Sequence, residues 1–291
     1  MTETVQRIPA LINSKSGTAD AARDAMSAHD SFDVTEVPPD KLDAALQEAL
    51  SSGATRILVA GGDGTIGTAA AALIGTETEL AILPGGTLNH FATDLGIPSD
   101  PAEALAMAVS GASRPADAAK ANDRVFLNTA SVGAYVHFVK VREYLEPRFG
   151  YRVASFFAAI RVMFQVRLVS VEVEVEGKAR NYRTPIVFIG VGERELKLPT
   201  LGNRVPNGQQ GLHVMIVRGR SRGRMLAVAL NAVARGVKTA ARTPEMDAFI
   251  VDKCTITLRR SSTIAVDGEL VSLGRQIVFQ MKRGALKVVC A

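Results

Sequence analysis

The sequence predicts two domains, a doubly wound, Rossmann-like α/β domain over residues 1–122 and an antiparallel β-sandwich domain over residues 123–291. The chain has 291 residues, which is more than one hydrophobic core usually fills. In the first half, short apolar runs alternate with amphipathic segments, and this favours parallel strands joined by helices. In the second half, alternating apolar and polar residues favour antiparallel strands. The extreme C-terminus could pack back onto the first domain.

Four short segments predict the strands of the first domain, and a turn or a polar loop follows each of them. Three are apolar runs, Ile8–Ile12, Arg56–Ala60 and Leu80–Leu83, and the fourth is Phe32–Val37, which ends at two prolines. Between the runs, leucines and alanines recur at helical spacing, for example along residues 40–50. A last helix begins at the capping box Asp100-Pro101-Ala102-Glu103 and ends at Gly111.

The second half predicts mainly strands. Residues 169–176 read VSVEVEVE, so one face of this strand is apolar and the other is charged, and Gly177 follows in a turn. The other predicted strands are Tyr182–Val191, Gly211–Val217, Cys254–Leu258, Thr263–Val266, Gln276–Met281 and Leu286–Val289. Two helices are predicted among them, near Tyr135–Glu146 and Ser221–Lys238.

Charge is distributed unevenly between the two halves. Residues 1–122 hold 7 Lys and Arg against 16 Asp and Glu, whereas residues 123–291 hold 27 against 13. Such a basic half could face nucleic acid or anionic lipid, or it could present solvated arginines. No interleaved aromatic residues or nucleic-acid reader motif accompany the basic residues, so nucleic-acid binding is not expected.

Composition excludes several classes of protein. Hydrophobic residues make up 47% of the chain and charged residues 22%, which is typical of a soluble globular protein and not of a disordered or fibrous one. No apolar run reaches the length of a membrane span, and no signal peptide is evident. Cys254 and Cys290 are isolated, and the four histidines lack ligand spacing, so a cytoplasmic protein without a zinc site is expected.

Three polar, glycine-containing loops follow predicted parallel strands, at residues 13–17, 61–65 and 84–89. Because the carboxyl ends of parallel strands meet at one edge of a sheet, we expect the three loops to converge there. Backbone N–H groups and helix N-termini would hold phosphates, and Thr65, Thr87 and Asn89 would add hydroxyl and amide contacts.

The central loop also fits a dinucleotide fingerprint, Gly62-x-Gly64-x-x-Gly67. Two features count against that interpretation. The next strand does not end in an acidic residue, and Asp63 would place a carboxylate beside a pyrophosphate. No Gly-Lys-Ser/Thr follows, so the loop is not a Walker A motif either. A carboxylate suits this position if a divalent cation lies between it and the phosphate. A tight glycine turn without a ligand is the remaining alternative.

Together these motifs resemble the diacylglycerol kinase catalytic-domain family, in particular the soluble bacterial lipid kinases. The segments that carry the resemblance are NSKSG (13–17), GGDGT (61–65), GGTLNHFATDLGIP (85–98), FLNTASVG (126–133) and VDGE (266–269). Their order covers nearly the whole chain. The GGDGT element alone is also similar to NAD kinases and sphingosine kinases.

The resemblance implies that ATP binds between the two domains and that its γ-phosphate passes to a lipid hydroxyl. The positions that it assigns to nucleotide binding are Asn13, Ser16, Gly17, Gly61, Gly62, Gly64, Thr65, Gly85, Gly86, Thr87 and Asn89. It places Asp63 and Asp117 in an Mg²⁺ and water network. Asp267 and Glu269 match the proposed catalytic acids, with Asp267 as base and Glu269 supporting it, and Asp63 is counted with them as a catalytic residue. The Asp-Gly pair at 267–268 could equally be a hairpin turn without a catalytic role.

Two departures from the family pattern stand out. His90 occupies a position where many members carry an acidic residue, so one expected carboxylate is missing. Residues 209–213 read QQGLH, where members often have aspartates that bind a structural Mg²⁺. Amides and imidazole are poor Mg²⁺ ligands, so we predict that this structural metal is absent.

A lipid kinase without a membrane span must dock on a membrane surface. The arginines of RGRSRGR (218–224) cluster in the sequence, and Arg235, Lys238 and Arg242 follow them. We expect this basic half to contact anionic lipid, as a cytoplasmic, peripherally membrane-associated protein. Apolar residues recur at helical spacing and could line an acyl pocket or belong to the core. They are Phe156, Phe157, Ile160, Met163 and Phe164.

The expected function is that of an ATP- and Mg²⁺-dependent lipid kinase whose acceptor is diacylglycerol or a similar lipid alcohol. One alternative is another acceptor, namely phosphatidylglycerol, a sphingoid base or NAD. Another is a nucleotide-binding lipid sensor that has lost catalysis. The chain could also form a homodimer.

Overall fold

A computed structural model describes residues 7–165, 168–196, 201–218 and 246–290. The strands are β1 (Ile8–Asn13), β2 (Phe32–Val37), β3 (Arg56–Gly61), β4 (Glu79–Pro84), β5 (Ser113–Ala121), β6 (Arg124–Phe126), β7 (Thr129–Gly133), β8 (Val169–Val175), β9 (Lys178–Thr184), β10 (Ile186–Val191), β11 (Arg194–Leu196), β12 (Leu201–Arg204), β13 (Leu212–Val217), β14 (Met246–Val251), β15 (Lys253–Leu258), β16 (Thr263–Val266), β17 (Glu269–Ser272) and β18 (Gln276–Val289). The α-helices are α1 (Ala19–Ser27), α2 (Leu42–Ser51), α3 (Asp63–Leu73), α4 (His90–Asp94), α5 (Pro101–Ser110) and α6 (Ala134–Gln165).

The chain folds into two compact units. Unit 1 comprises Met1–Ala118 together with Lys282–Ala291, and unit 2 comprises Ala119–Met281. The predicted boundary at residue 122 lies close to the observed one. The last ten residues belong to unit 1, because β18 runs on past residue 281 into the first sheet.

Unit 1 is a doubly wound α/β domain, as the sequence predicts. Its strands are ordered β2-β1-β3-β4, all parallel, and the end of β18 pairs in parallel with β4. Both faces of the central strands are buried, which explains why the sequence shows continuous apolar runs there. One face packs against α1 and α5. The capping box is present, since the Glu103 amide donates to Asp100 Oδ1 at 3.0 Å.

Unit 2 is an antiparallel β-sandwich. One sheet has the order β14-β13-β10-β7-β16-β17, and the other contains β15, β8, β9 and the first part of β18. The alternating residues of both sheets meet in one core, for example Val171 and Val173 of β8 with Val187 and Ile189 of β10. The alternation that predicts these strands is therefore the pattern that builds the core.

Several elements differ from the predictions. The predicted strand 182–191 is two strands, since β9 ends at Thr184 and β10 begins at Ile186. Helix α6 extends from Ala134 to Gln165, nineteen residues past its predicted end, with Pro147 inside it and a kink at Gly150, whose φ is 73°. The sequence shows this length only weakly, because proline and glycine usually end helices. The predicted helix 221–238 lies outside the described residues.

Among the residues that the structure describes, no helix is both long enough and apolar enough to cross a membrane.

Arg56 joins the sheet of unit 1 to the end of α5. Its guanidinium contacts Glu79 at 2.6 Å and donates to the carbonyl oxygens of Ala108 and Gly111 at 2.7 and 2.9 Å. The last carbonyls of a helix have no intrahelical partner, so this arginine satisfies groups that would otherwise be unpaired. The side chain is only 16% exposed, which protects these bonds from water.

We expect Arg56→Lys to lower the free energy of unfolding by about 1–3 kcal/mol, because an ammonium group cannot reach the carboxylate and the helix end together. Urea denaturation would measure this. The control is Arg23→Lys, whose ion pairs lie at the surface and should contribute much less to stability. Equal losses in the two variants would contradict the role given to Arg56.

Candidate functional site

The three glycine loops of unit 1 lie together at the carboxyl edge of its sheet. The Asn13 side chain donates to Thr65 Oγ1 at 2.8 Å, which joins the first loop to the second. The hydroxyls of Ser16 and Thr18 lie 3.2 and 3.1 Å from the Gly85 carbonyl oxygen, which joins the first loop to the third. The Gly85 amide donates to the Gly61 carbonyl at 2.9 Å. The structure thus assembles the loops as their positions after parallel strands predict.

Glycine is required where the second and third loops meet. A Cβ atom at Gly86 would lie 2.7 Å from the Cα atom of Gly62, closer than real Cβ atoms approach. One at Gly85 would lie 2.5 Å from Thr18 Oγ1, and one at Gly61 would lie 2.6 Å from Thr65 Oγ1. Three of the predicted glycines are therefore explained by close packing of backbone on backbone or on a hydroxyl.

The third loop is held in shape by Asn89. Its side chain accepts from the Gly86 amide at 2.8 Å and donates to the Gly86 carbonyl at 2.9 Å. Asn89 itself has a φ of 49°, a left-handed conformation that asparagine tolerates better than most residues. The side-chain amide of Asn89 thus positions the loop. Thr87, two residues earlier, is exposed.

Asp63 is the first residue of α3, an eleven-residue helix, and is half-buried. Its Oδ1 atom lies 3.5 Å from the Phe91 amide nitrogen. A helix N-terminus attracts anions, so a phosphate here would share its place with a carboxylate. A divalent cation between them removes the repulsion.

The first loop also carries a positively charged side chain that the predicted site residues omit. Lys15 is exposed there, beside the carboxyl edge of the sheet.

Asp117 does not join Asp63. It is 8% exposed on β5, and its Oδ1 accepts from the Gly284 amide at 2.9 Å. Gly284 lies three residues before Lys287 on β18, and Lys287 is the register partner of Glu79, the first residue of β4. The third loop, in contrast, follows the last residue of β4. A six-residue strand spans about 17 Å between its first and last Cα atoms. The two carboxylates therefore lie towards opposite ends of the sheet, and the assignment of Asp117 to the Mg²⁺ and water network stays a prediction.

Within the described parts of the chain, no group of three or more His, Cys, Asp or Glu side chains could hold a metal ion. Asp63 alone still fits Mg²⁺ at a nucleotide, since Mg²⁺ commonly takes one or two carboxylates and completes its shell with phosphate oxygens and water.

In unit 2, Asp267 lies at the turn between β16 and β17. Its φ is 46° and that of Gly268 is 83°, the pair of positive values that a two-residue type I′ hairpin needs. Its Oδ1 accepts from the amides of Asn128 and Thr129 at 2.9 and 2.8 Å, and its Oδ2 accepts from the Leu127 amide at 2.8 Å. The turn and the FLN segment therefore hold one carboxylate in a fixed orientation.

The protonation of Asp267 is set by opposing effects. Burial raises the pKa of its carboxyl, while the three backbone amides and the charge of Arg194 act to lower that pKa. Oδ2 accepts a single one of these bonds and so retains a lone pair. A fixed carboxylate with a raised pKa and a free lone pair can accept a proton from a hydroxyl group.

Arg194 is a buried arginine that the predicted site residues omit. Its side chain is 3% exposed, and it donates to the carbonyl oxygens of Val191 and Leu127 at 2.9 and 3.4 Å. Gly190 makes room for it, since a Cβ there would lie 2.3 Å from Arg194 Cγ. No sequence pattern marks this residue, because its contact with Leu127 joins segments that are 67 residues apart in the chain.

Glu269, two residues after Asp267, pairs with Arg124 at 2.6 Å, and both side chains are about half exposed. Its catalytic role stays a prediction. Another basic residue, Arg142 on α6, donates to the Gly268 carbonyl at 3.5 Å.

The two departures from the family pattern have defined surroundings. His90 begins the short helix α4 and is half-buried. At the other segment, Nδ1 of His213 accepts from the Arg194 amide at 3.0 Å, and burial lowers the pKa of its imidazole. The Gln209 amide donates to Glu193 Oε2 at 3.0 Å. The absence of a structural Mg²⁺ here stays a prediction.

Comparison with known proteins confirms the resemblance for the N-terminal part of the chain. Residues 7–121 match the diacylglycerol kinase catalytic domain. Among curated proteins, the chain is 45% identical over 91 residues to "Probable lipid kinase YegS-like" of Klebsiella pneumoniae, covering 30% of this chain and 31% of that protein. It is 35% identical over 148 residues to the protein of the same name from Pseudomonas putida, covering 50% and 49%. The chain thus matches at most about half the length of these relatives.

A solved structure shows the same fold over nearly the whole chain. It is a crystal structure of a "putative diacylglycerol kinase" from Bacillus anthracis, with a TM-score of 0.76 and 21% sequence identity, covering 98% of this chain and 97% of that one. This likeness supports the arrangement of an α/β domain followed by an antiparallel β domain.

We expect Gly86→Ala to lower the free energy of unfolding by about 1–3 kcal/mol, because its methyl group would press the second and third loops apart. Urea denaturation would measure the change. Gly67→Ala is the matched control: it lies within α3, no atom comes within 4 Å of its Cβ, and alanine should stabilise the helix by up to about 1 kcal/mol. Stabilisation by both substitutions would show that the loops do not need their close contact.

Proposed function

We propose that this chain, which carries a diacylglycerol kinase catalytic domain at residues 7–121, is an ATP-dependent lipid kinase that phosphorylates the hydroxyl group of diacylglycerol or a similar lipid alcohol. The observation that carries the proposal is the loop assembly of unit 1, in which backbone meets backbone at Gly62 and Gly86 beside the N-terminus of α3. The names of the curated relatives support a lipid acceptor.

In this proposal the loops of unit 1 bind the nucleotide phosphates. Backbone amides and the N-terminus of α3 supply hydrogen bonds, and Lys15 supplies positive charge. Asp63 would hold Mg²⁺, which when bound neutralises charge on the phosphates. Asn13, Ser16 and Asn89 position the loops through the hydrogen bonds that they make between and within them.

Unit 2 supplies the base. The Asp267 carboxylate accepts the proton of the acceptor hydroxyl while the hydroxyl oxygen of the lipid attacks the γ-phosphoryl group of ATP. Three backbone amides fix the direction in which this carboxylate faces. The hairpin explanation of Asp267-Gly268 and the catalytic one are compatible, because the turn is what brings the carboxylate to the amides of residues 127–129.

The decisive assay is transfer of labelled γ-phosphate from Mg-ATP to lipids in mixed micelles. The panel holds diacylglycerol, phosphatidylglycerol, sphingosine and soluble NAD, so that the alternative acceptors are tested in parallel. Label in diacylglycerol or a related lipid alcohol supports the proposal. Label in NAD alone contradicts it. A third outcome is that ATP and lipid bind but no label is transferred, and that Asp63→Asn changes neither binding. This outcome would indicate a sensor and would also contradict the proposed kinase function.

We expect Asp267→Asn to lower kcat by about 10²–10⁴-fold, because an amide cannot accept the proton. Circular dichroism and thermal unfolding would establish that the variant is folded. The control is Asp123→Asn, an exposed aspartate on the hairpin between β5 and β6, which should retain activity. Full activity in a folded Asp267→Asn protein would remove Asp267 from the mechanism.

The pH profile should depend on Arg194. A base must be ionised, so kcat/KM should fall about tenfold per pH unit below the pKa of Asp267. Because the charge of Arg194 lowers that pKa, Arg194→Gln should move the acidic limb to higher pH, while Arg194→Lys should move it less. An acidic limb at the same pH in Arg194→Gln as in the unaltered protein would show that another group sets the limb.

A further inference from the structure

The part of α6 that follows the kink at Gly150 turns its large apolar side chains outward. Val153, Phe156, Phe157 and Ile160 recur at i, i+3, i+4 and i+7, which places them on one face of the helix. Their exposures are 44%, 63%, 51% and 37%. In a helix that packs on a globular core, the large apolar side chains face inward.

Two small residues on the inner face of the same segment are the ones most deeply buried. Ala154 and Ala158 are fully buried. They lie about 100–140° around the helix from Val153, at about 100° per residue. The helix therefore packs through its alanines, and the burial of its phenylalanines is not needed for that packing. The interpretation of the stripe as core is wrong for Phe156, Phe157 and Ile160, because these side chains are exposed, whereas the acyl-pocket interpretation stays a prediction. The side chains of Met163 and Phe164 lie outside the described residues.

Exposed apolar residues are concentrated on this helix. Among the described residues, eight large hydrophobic side chains are exposed, and six of them belong to α6. The two that precede the kink are Tyr144 and Phe149, at 72% and 54% exposure. Phe156 and Phe157 contact each other edge to face, with ring centroids 5.7 Å apart. A concentration of exposed apolar side chains of this kind marks an interaction site.

The charged residues of the helix segment that carries the stripe are of one sign. Residues 147–167 contain four arginines and no aspartate or glutamate. Arg148 and Arg161 are exposed at the two ends of the stripe. In a two-fold contact with a second copy of the chain, these arginines would meet like charges. An anionic lipid surface instead complements them, and an apolar helix face bordered by arginines is typical of helices that lie in the membrane interface.

We propose that residues 151–165 of α6 dock the protein on anionic bilayers by lying in the plane of the interface, with Phe156 and Phe157 inserted among the acyl chains. The proposal deepens the proposed function, since a lipid acceptor resides in a bilayer, and it rests on that function for its biological sense. It assigns docking to a helix face different from the basic segment 218–224, most of which lies outside the described residues.

The chain contains no tryptophan, so one introduced tryptophan reports on its own surroundings. In Phe156→Trp, vesicles with 30% phosphatidylglycerol in phosphatidylcholine should shift the emission to shorter wavelength, and vesicles of phosphatidylcholine alone should shift it much less. Val109→Trp, at an exposed apolar position of α5, should show no shift. An unshifted Phe156→Trp emission would overturn the proposal, as would a shift that grows with protein concentration in the absence of vesicles, which indicates a second copy.

Substitution separates docking from chemistry. Phe156→Gln/Phe157→Gln should reduce sedimentation with the anionic vesicles at least tenfold, while Val109→Gln should not. Transfer to a monomeric short-chain diacylglycerol in solution should be unchanged by the double substitution. Asp267→Asn should show the reverse pattern, with vesicle binding retained and transfer lost. Undiminished vesicle binding by a folded double variant would overturn the docking proposal whatever the kinase assay gives.

Discussion

The candidate nucleotide site depends on the close approach of Gly62 and Gly86. With a Cβ at either position the two loops would have to separate, because that atom would lie about 3 Å from the other glycine's Cα. Their closeness lets Asn13 reach Thr65 and lets the hydroxyls of the first loop reach Gly85. The side chains near this junction are therefore largely engaged in holding loops. The groups left to meet a phosphate are mainly backbone amides, the N-terminus of α3 and exposed Lys15.

Backbone amides have a related role in unit 2. In unit 1 we propose that they bind the phosphates of a nucleotide, whereas in unit 2 they bind the carboxylate of Asp267. Leu127, Asn128 and Thr129 each donate an amide to that carboxylate, and the type I′ turn supplies the angle at which it arrives. Arg194 donates to the Leu127 carbonyl, and its positive charge acts on the Asp267 carboxyl. A carboxylate held in this way loses little orientation when a substrate binds, which is what a base requires.

The fold was predictable wherever a local pattern determines burial. Continuous apolar runs predicted the strands of unit 1, alternation predicted β8, and Asp100 with Glu103 predicted the start of α5. The convergence of the loops followed from strand direction alone. Asp117 and Arg194 could not be placed in this way, because their partners, Gly284 and Leu127, are brought to them by sheet pairing between distant segments. The order of motifs identifies a residue by its position in the sequence. Which edge of the sheet that residue occupies depends on how the strands pair, and motif order does not give this pairing.

The stripe on α6 shows how periodicity can predict a helix and leave its burial undecided. Spacing at i, i+3, i+4 and i+7 identifies one apolar face but does not say whether protein or lipid covers it. The neighbouring positions carry that information. Ala154 and Ala158 allow close packing on one side, and the arginines of a segment without acidic residues fit the anionic surface that we propose for the other side. If the phenylalanines faced a protein core, nothing would select against acidic residues on the exposed flanks; a lipid surface does, because each carboxylate would be repelled by anionic headgroups.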